Sequence, residues 1–377
     1  MSLDSVSTFR WLRTGEEALI AMLAAITGAQ HSIRLETYTY TASPLGERFR
    51  EVLVRACHRG VRVQVMIDAL GSITLPASFW DPLIQAGGDF KWFNPLTLHR
   101  LIYRNHRKVL ACDDHIAFVG GFNIAPEYDG DGVTRGWRDL GLEITGLLAK
   151  ELADAFDTLF AGADFKHKRL QRFRKNGSHL ISLGQNWQLL LSGPGRRHGT
   201  FKQILARDLV QATNVKIICA YFLPTWRIRK ELLRICRRGG QVQLILAGKS
   251  DMALSQLAGR RLYDRFLRCG VEIYEYQPQI LHAKLFIMDE IVYVGSANLD
   301  ARSLNINYEL MVRICDPPLA AEAQRIFADD LKQCRRIEPT TWRASRTIWV
   351  KLMERWAYFI LARIDPYVAR RQLKTLR

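Results

Sequence analysis

Apolar positions recur at helical spacing at Ala18, Leu19, Met22, Leu23 and Ile26, behind a capping-box pattern formed by Thr14 and Glu17; a helix through about Thr27 is predicted. A strand follows at Ser32 to Tyr40, SIRLETYTY. A second helix runs from Leu45 to about Arg59, where Gly60 stops it, and the apolar run Val61 to Ile67 reads as the next strand. After a loop and a short helix, GGDFKWFNP ends at Pro95 and leads towards a further short apolar run, Val109 to Ala111.

The same order returns in the second half. Val215 to Phe222 answers the strand at Ile33, and ICRRGGQVQLIL (Ile235 to Leu246) answers ACHRGVRVQVMI (Ala56 to Ile67). CGVEIYEYQP (Cys269 to Pro278) answers AGGDFKWFNP (Ala86 to Pro95). Agreement of element order, glycines and apolar positions over so long a stretch implies duplication, and the unit is too long for a solenoid. Two similar α/β domains are therefore predicted.

The repeat is sharpest in NHRKVLACDDHIAFVGGFN (Asn105 to Asn123) and LHAKLFIMDEIVYVGSANLD (Leu281 to Asp300). Each holds His-x-Lys, four residues, Asp, a short apolar run and a Gly-Gly or Gly-Ser turn ending in Asn. The residues are His106, Lys108, Asp113, Gly120, Gly121 and Asn123, against His282, Lys284, Asp289, Gly295, Ser296 and Asn298. On a strand, residues two apart share a face, so the His and Lys of each copy project together. Asp113 and Asp289 lie five beyond the Lys, an odd offset, and are expected to fix the turn after the strand. The second turn is one residue shorter than the first.

Two imidazoles and two ammonium groups suit displacement at a phosphodiester. That reaction needs a nucleophile, a proton donor for the leaving alkoxide, and positive charge for the non-bridging oxygens. These residues fill the roles with no metal or other cofactor.

The doubled motif resembles the phospholipase D superfamily, whose HxKxxxxD signature occurs twice in its single-chain members. The resemblance implies two phospholipase D-like α/β/α sandwich domains related by a pseudo-twofold axis, with both His-x-Lys pairs at one cleft. The implied catalytic set is His106, Lys108, Asp113, His282, Lys284 and Asp289. Asp139, in GWRDLGLEI, and Glu309, in NYELMVRI, open equivalent apolar strands and are the expected orienting acids. Asn123, Asn298 and Ser296 are expected to bind the phosphate. For Glu36, in LETYTY, lining the site and serving as a structural carboxylate are both open. The family's usual assignment makes His106 the nucleophile that forms a phosphohistidine ester and His282 the acid and base; the symmetry of the sequence does not decide between them.

Charge and composition narrow the partner. The chain has 377 residues, 48% hydrophobic and 24% charged, and a formal charge of +17, as for a folded protein with an anionic partner. Seven cysteines, odd in number and without CxxC spacing, read as reduced core residues in a reducing compartment. The N-terminal stretch has the succession of neither a signal peptide nor a spanning helix. A basic run from Phe165 to Ser178 is either a solvated linker or a contact for an anionic surface. The insertion Leu96 to Asn105 is either a lipid-contacting rim or a surface loop. Domain limits follow: 1–165, a basic linker at 166–185, a second domain at 186–338, and a basic amphipathic tail at 339–377.

In that tail Thr341 to Arg363 predicts one amphipathic helix, with Trp342, Trp349, Met353, Trp356 and Ile360 on one face. Lys351, Glu354 and Arg355 lie opposite and Arg343 at the flank. It either lies in a membrane interface or packs on the core.

Within the superfamily RLETYTY, Ala56 to Ser72, GGFNIAPEY with WRD, AYFLP and GSANLDARSLNINYE are most similar to the short bacterial cardiolipin synthases, over roughly residues 10 to 340. The resemblance implies transfer of a phosphatidyl group from one phosphatidylglycerol to another. It also implies peripheral attachment to the cytoplasmic side of a bacterial inner membrane, with anionic phospholipid as the partner. A hydrolytic phospholipase D would share every catalytic residue. A phosphodiester nuclease fits the charge, but nucleic acid is disfavoured because no aromatic and basic groove pattern is evident; no protein partner can be inferred.

Overall fold

The computed structural model describes residues 7–95, 103–163, 180–181, 186–194 and 200–367. In the first half these form β1 (Thr8–Leu12), α1 (Gly15–Gly28), β2 (Ser32–Thr37), α2 (Pro44–His58), β3 (Arg62–Asp68), α3 (Asp81–Gln85), β4 (Asp89–Phe93), β5 (Val109–Cys112), β6 (Ile116–Gly120), β7 (Gly141–Thr145) and α4 (Leu147–Gly162). The second half contributes β8 (Leu180–Ile181), β9 (Trp187–Ser192), α5 (Thr200–Gln211), β10 (Asn214–Cys219), α6 (Trp226–Arg237), β11 (Gln241–Ala247), α7 (Ala253–Arg268), β12 (Glu272–Tyr276), β13 (Lys284–Met288), β14 (Ile291–Gly295), α8 (Ala301–Asn305), β15 (Glu309–Cys315), α9 (Pro317–Lys332) and β16 (Cys334–Arg336). The short helices α10 (Pro339–Ala344) and α11 (Ile348–Phe359) follow.

The first sheet runs β4-β3-β2-β5-β6-β7-β1 and the second repeats it as β12-β11-β10-β13-β14-β15-β9, with β16 and β8 added at its edges. The expected two similar α/β domains are present. Strands β2, β3 and β4 are parallel because helices connect them, and β5 and β6 form an antiparallel hairpin.

Alternate residues of the central strands enter different cores. Val109 and Ala111 of β5 and Leu285 and Ile287 of β13 face one core shared by the two sheets together with α4 and α9. Leu110 and Cys112 face the layer under α1 and α2, and Phe286 and Met288 the layer under α5, α6 and α7. Burial on both faces explains why these strands read as unbroken apolar runs. The predicted stripe of α1 is the buried one, and Thr14 caps it by accepting from Glu17 N.

Some boundaries differ from the sequence reading. The strand expected to reach Tyr40 ends at Thr37, since Tyr40 turns away to pair with Ile124 and donate to the Gly46 carbonyl. Both histidines precede the regular strands β5 and β13 and directly follow isolated bridges at Asn105 and Leu281.

The tail is not one helix. It breaks at Ser345–Thr347, where Thr347 caps α11 by accepting from Val350 N. Trp342 packs on Tyr263 at 5.0 Å and so parts from the face it was grouped with, while Ile360 is half-buried in the π-turn after α11. Glu354, expected on the polar face, is buried with Ala357 and pairs with Arg346. The basic run Phe165–Ser178 and most of the Leu96–Asn105 insertion lie outside the described residues.

Candidate active site

Each His-x-Lys segment runs beside the backbone that opens the β7 or β15 strand of the opposite half. His106 N donates to the Tyr308 carbonyl and Tyr308 N to the Arg104 carbonyl, both at 2.9 Å. His282 N donates to the Arg138 carbonyl and Arg138 N to the Ile280 carbonyl, both at 2.8 Å. The residue after Tyr308 is Glu309 and the residue after Arg138 is Asp139, so the acids reach the histidines across the interface. Bidentate pairing of buried Arg138 with Asp330 holds this crossing in place.

His282 Nδ1 lies 2.6 Å from Asp139 Oδ2, and His106 Nδ1 lies 3.1 Å from Glu309 Oε2. A carboxylate accepting at Nδ1 keeps the proton there and leaves the Nε2 lone pair free. Each imidazole is therefore held by an acid from the other half, a pairing that the repeat does not specify.

The lysines stand beside their histidines as the two-residue spacing predicts. Lys108 Nζ donates to the His106 carbonyl at 2.8 Å, and Lys284 Nζ to the His282 carbonyl. Lys284 Nζ is also 3.0 Å from His282 Nδ1. With Nδ1 protonated towards Asp139, that contact is a charge beside a ring, since two donors cannot bond each other.

Burial sets the protonation of the group. It pushes Lys108 down to about 7, opposed by Glu309 and reinforced by Lys284. It likewise lowers Lys284, with Asp139 opposing. Burial lowers both histidines, helped at His282 by the Lys284 ammonium and resisted in each by the paired acid. Burial works against ionising Asp139 and Glu309, but the facing imidazole and lysine outweigh it, and both carboxyls sit below the usual range.

Asp113 and Asp289 are not among these groups. Asp113 accepts from the backbone of Gln30, His31 and Ser32, and Asp289 from Thr213 N, Thr213 Oγ1 and Asn214 N. Both adopt left-handed backbone, φ 55° and 52°, which Asp tolerates better than most side chains. They fasten the β5–β6 and β13–β14 turns to the start of β2 and β10, which corrects their inclusion in the catalytic set. The shorter second turn leaves this role unchanged.

Ser296 also has a different task from the one expected. Its hydroxyl hydrogen bonds Glu309 Oε2 and it accepts from Leu310 N, so its one proton steadies the acid and is not free for a phosphate oxygen. Asn123 accepts from Thr37 and Thr39 and donates to Tyr128 Oη at 2.7 Å. Asn298 accepts from Tyr221 N at 3.3 Å. Both asparagines tie the turn after β6 or β14 to the end of β2 or β10, which accounts for their place in the repeat.

Aromatic neighbours were missed because in sequence they resemble core residues. Tyr128 meets His282 edge-on at 5.2 Å and Trp137 stands 5.6 Å away, whereas Tyr38 flanks His106 at 5.0 Å. His282 is the more enclosed, its side chain 5% exposed against 13% for His106. Beneath His106, Glu36 accepts from Asn105 Nδ2 and Asp68 from Asn105 N. Glu36 thus supports the segment next to His106.

A duplicated α/β fold with two acid-held imidazoles and two buried lysines defines a phospholipase D-type phosphodiester site. The sequence matches the family described as cardiolipin synthase, PLD-like domain, over residues 22–158 and 205–331, and the chain belongs to that family. It is 31% identical over 334 residues to cardiolipin synthase B of Salmonella typhi, covering 85% of this chain and 81% of that protein. It is 29% identical to cardiolipin synthase 1 of Bacillus anthracis, covering 92% and 71%. Phosphatidylserine synthase of Haemophilus influenzae shares the fold with a TM-score of 0.76 at 15% identity, covering 96% of this chain and 94% of that one.

Proposed function

We propose that this protein is a phosphatidyltransferase that joins two phosphatidylglycerol molecules into cardiolipin and releases glycerol. The observation that carries this reading is the crossed pairing of His106 with Glu309 and His282 with Asp139, which turns Nε2 of each ring away from its acid; His282 Nε2 has Tyr128 Oη at 3.5 Å, a long contact that a substrate oxygen can replace. Similarity to cardiolipin synthases over most of the chain supports the lipid substrate.

In the first step His106 Nε2 attacks phosphorus, the bond to the glycerol oxygen breaks, and His282 gives that oxygen a proton. A phosphatidyl group is left on His106. The primary hydroxyl of a second phosphatidylglycerol then attacks the same phosphorus, passing its proton to His282 as the phosphorus–nitrogen bond breaks. His106 takes the nucleophile's role because its ring is the more accessible. The negative phosphodiester favours the charged forms of His282, Lys108 and Lys284, against the effect of burial, so binding of substrate readies the acid and the oxyanion clamp. Asp139 and Glu309 stabilise the imidazolium that forms at each stage.

The basic composition and seven free cysteines support a site on the anionic face of a membrane in a reducing compartment. The test is incubation with phosphatidylglycerol vesicles. Cardiolipin with an equal amount of glycerol is expected; phosphatidic acid alone would assign hydrolysis. Neither product, together with cleavage of DNA, would overturn the lipid reading. Denaturing quench of a reaction with phosphorus-labelled lipid is expected to leave acid-labile label on wild-type protein and none on His106→Ala.

A further inference from the structure

Helix α11 divides into three sectors. Glu354 and Ala357 are buried against the body of the second half, and Tyr358 accepts from Arg229 of α6 at 2.9 Å. Lys351 and Arg355 lie at the flank. The remaining sector exposes Ile348, Trp349, Leu352, Met353, Trp356 and Phe359, with Trp349 at 77% and Trp356 at 63%. Among the described residues, nine of the sixteen exposed large hydrophobic side chains fall between Ile348 and Tyr367. So dense an apolar patch on a surface marks a contact site.

The surroundings choose the occupant. The one acid of α11, Glu354, is turned inward to Arg346, so the outward sector has no negative charge of its own. Helix α6, joined to α11 through Arg229 and Tyr358, carries Arg227 and Lys230 and exposes Trp226, over whose ring Lys230 sits at 4.8 Å. A second copy of this chain would set these cations, within a net charge of +17, against their own like. An anionic bilayer accepts both the tryptophans, which favour the headgroup level, and the cations around them. No helix among the described residues is long and apolar enough to cross a membrane.

The patch is also tied to the site. Just beyond α11, Asp365 accepts two bonds from Arg302, at 2.8 Å from Nε and 2.6 Å from Nη2. Arg302 belongs to α8, which follows Asn298 of the second repeat and is capped by Asp300. The turn that leads into α8 also carries Ser296, whose hydroxyl bonds Glu309, the acid that holds His106.

We propose that the exposed sector of α11 seats the protein on an anionic phospholipid bilayer, and that the Arg302–Asp365 pair holds this sector beside the two-histidine site so that lipid enters from the leaflet it sits on. The proposal rests on the lipid reading of that site for its second part only.

The test uses the full chain and two vesicle preparations, phosphatidylglycerol mixed with phosphatidylcholine and phosphatidylcholine alone. Wild type is expected to sediment with the mixed vesicles, less at high salt, and weakly with the neutral ones. Trp349→Glu/Trp356→Glu is expected to lower that binding at least about tenfold. Both side chains are already in solvent, so an unchanged circular-dichroism melt will show an intact fold. Its turnover of a short-chain phosphatidylglycerol dispersed as monomers is expected to equal wild type, while turnover on vesicles falls with binding. Asp365→Asn is expected to bind vesicles normally, keep its turnover of the short-chain lipid, and lose vesicle turnover severalfold.

Undiminished vesicle binding by the double variant overturns the bilayer seat. So does a wild-type dimer in sedimentation that the double substitution dissolves while vesicle binding persists. Full vesicle turnover by Asp365→Asn overturns the coupling. If wild type converts neither lipid, the reading of the two-histidine site has failed, and the binding comparison still decides the seat by itself.

Discussion

Asp139 Oδ2 stands 2.6 Å from His282 Nδ1, although the two residues are 143 positions apart and belong to different repeats. The mirror contact, Glu309 to His106, spans 203 positions. Neither half therefore holds a complete acid–imidazole pair, and each becomes competent only when the shared core brings the sheets together.

Exchanging the acid for its amide tests this directly. Asp139→Asn and Glu309→Gln keep the shape but no longer hold the Nδ1 proton, and an analogous change in a triad enzyme costs about 10⁴ in rate. A fall in kcat of about 10³ to 10⁴ is expected for each, with vesicle binding unchanged. Full activity in either would sever that acid from the chemistry.

Gly121 supplies a subtler probe. A Cβ there would lie 2.2 Å from Asp139 Oδ1 and 2.5 Å from Oδ2, closer than atoms can approach, so Gly121→Ala must move the carboxylate away from His282. The expected result is a drop in kcat of about 10² with substrate affinity kept, by the sensitivity of rate to small misplacements. The corresponding Ser296 touches its acid favourably, and Ser296→Ala is expected to be much milder.

The pH profile follows from Lys108. Burial lowers it to about 7, so in the free protein the ammonium is present below that pH and lost above it. Since kcat/KM reports groups of the free enzyme, it is expected to decline on the alkaline side of about pH 7, earlier than an exposed lysine would dictate. A profile of kcat/KM flat to pH 9 would contradict the assignment of Lys108 to the phosphate.

Asp113→Ala should injure stability more than chemistry. Its carboxylate accepts three backbone N–H bonds, and losing such charge-assisted bonds costs about 1.5–3 kcal/mol each at full burial, less at this partly exposed turn. Against a partial burial that works the other way, those bonds hold its carboxyl below the usual carboxylate range in the folded protein. The unfolded chain therefore binds the proton more readily, so this contribution is complete above about pH 4 and is lost as pH falls through the folded value. Denaturant titrations at pH 7 and pH 3 are expected to differ by less in Asp113→Ala than in wild type, while kcat at pH 7 stays within about threefold.

The tail shows how far periodicity can be read. Helical spacing grouped Trp342 with Trp349 and Trp356, but Thr347 caps a new helix between them and resets the phase. Trp342 then meets Tyr263, and Glu354 turns inward to Arg346. A pattern drawn through a break in a helix assigns faces that the chain does not have.

The amino-acid sequence alone determined the duplication, the α/β class, the two His-x-Lys pairs and the turn role of Asp113 and Asp289. All of these rest on spacing within one element or on comparison of like with like. Tertiary structure decided which acid serves which histidine, that Ser296 and Asn123 serve their neighbours, and that Tyr38, Tyr128 and Trp137 wall the rings. The reason is that a strand's alternation says which side chains leave it on the same side, but carries no record of the sheet that will face them.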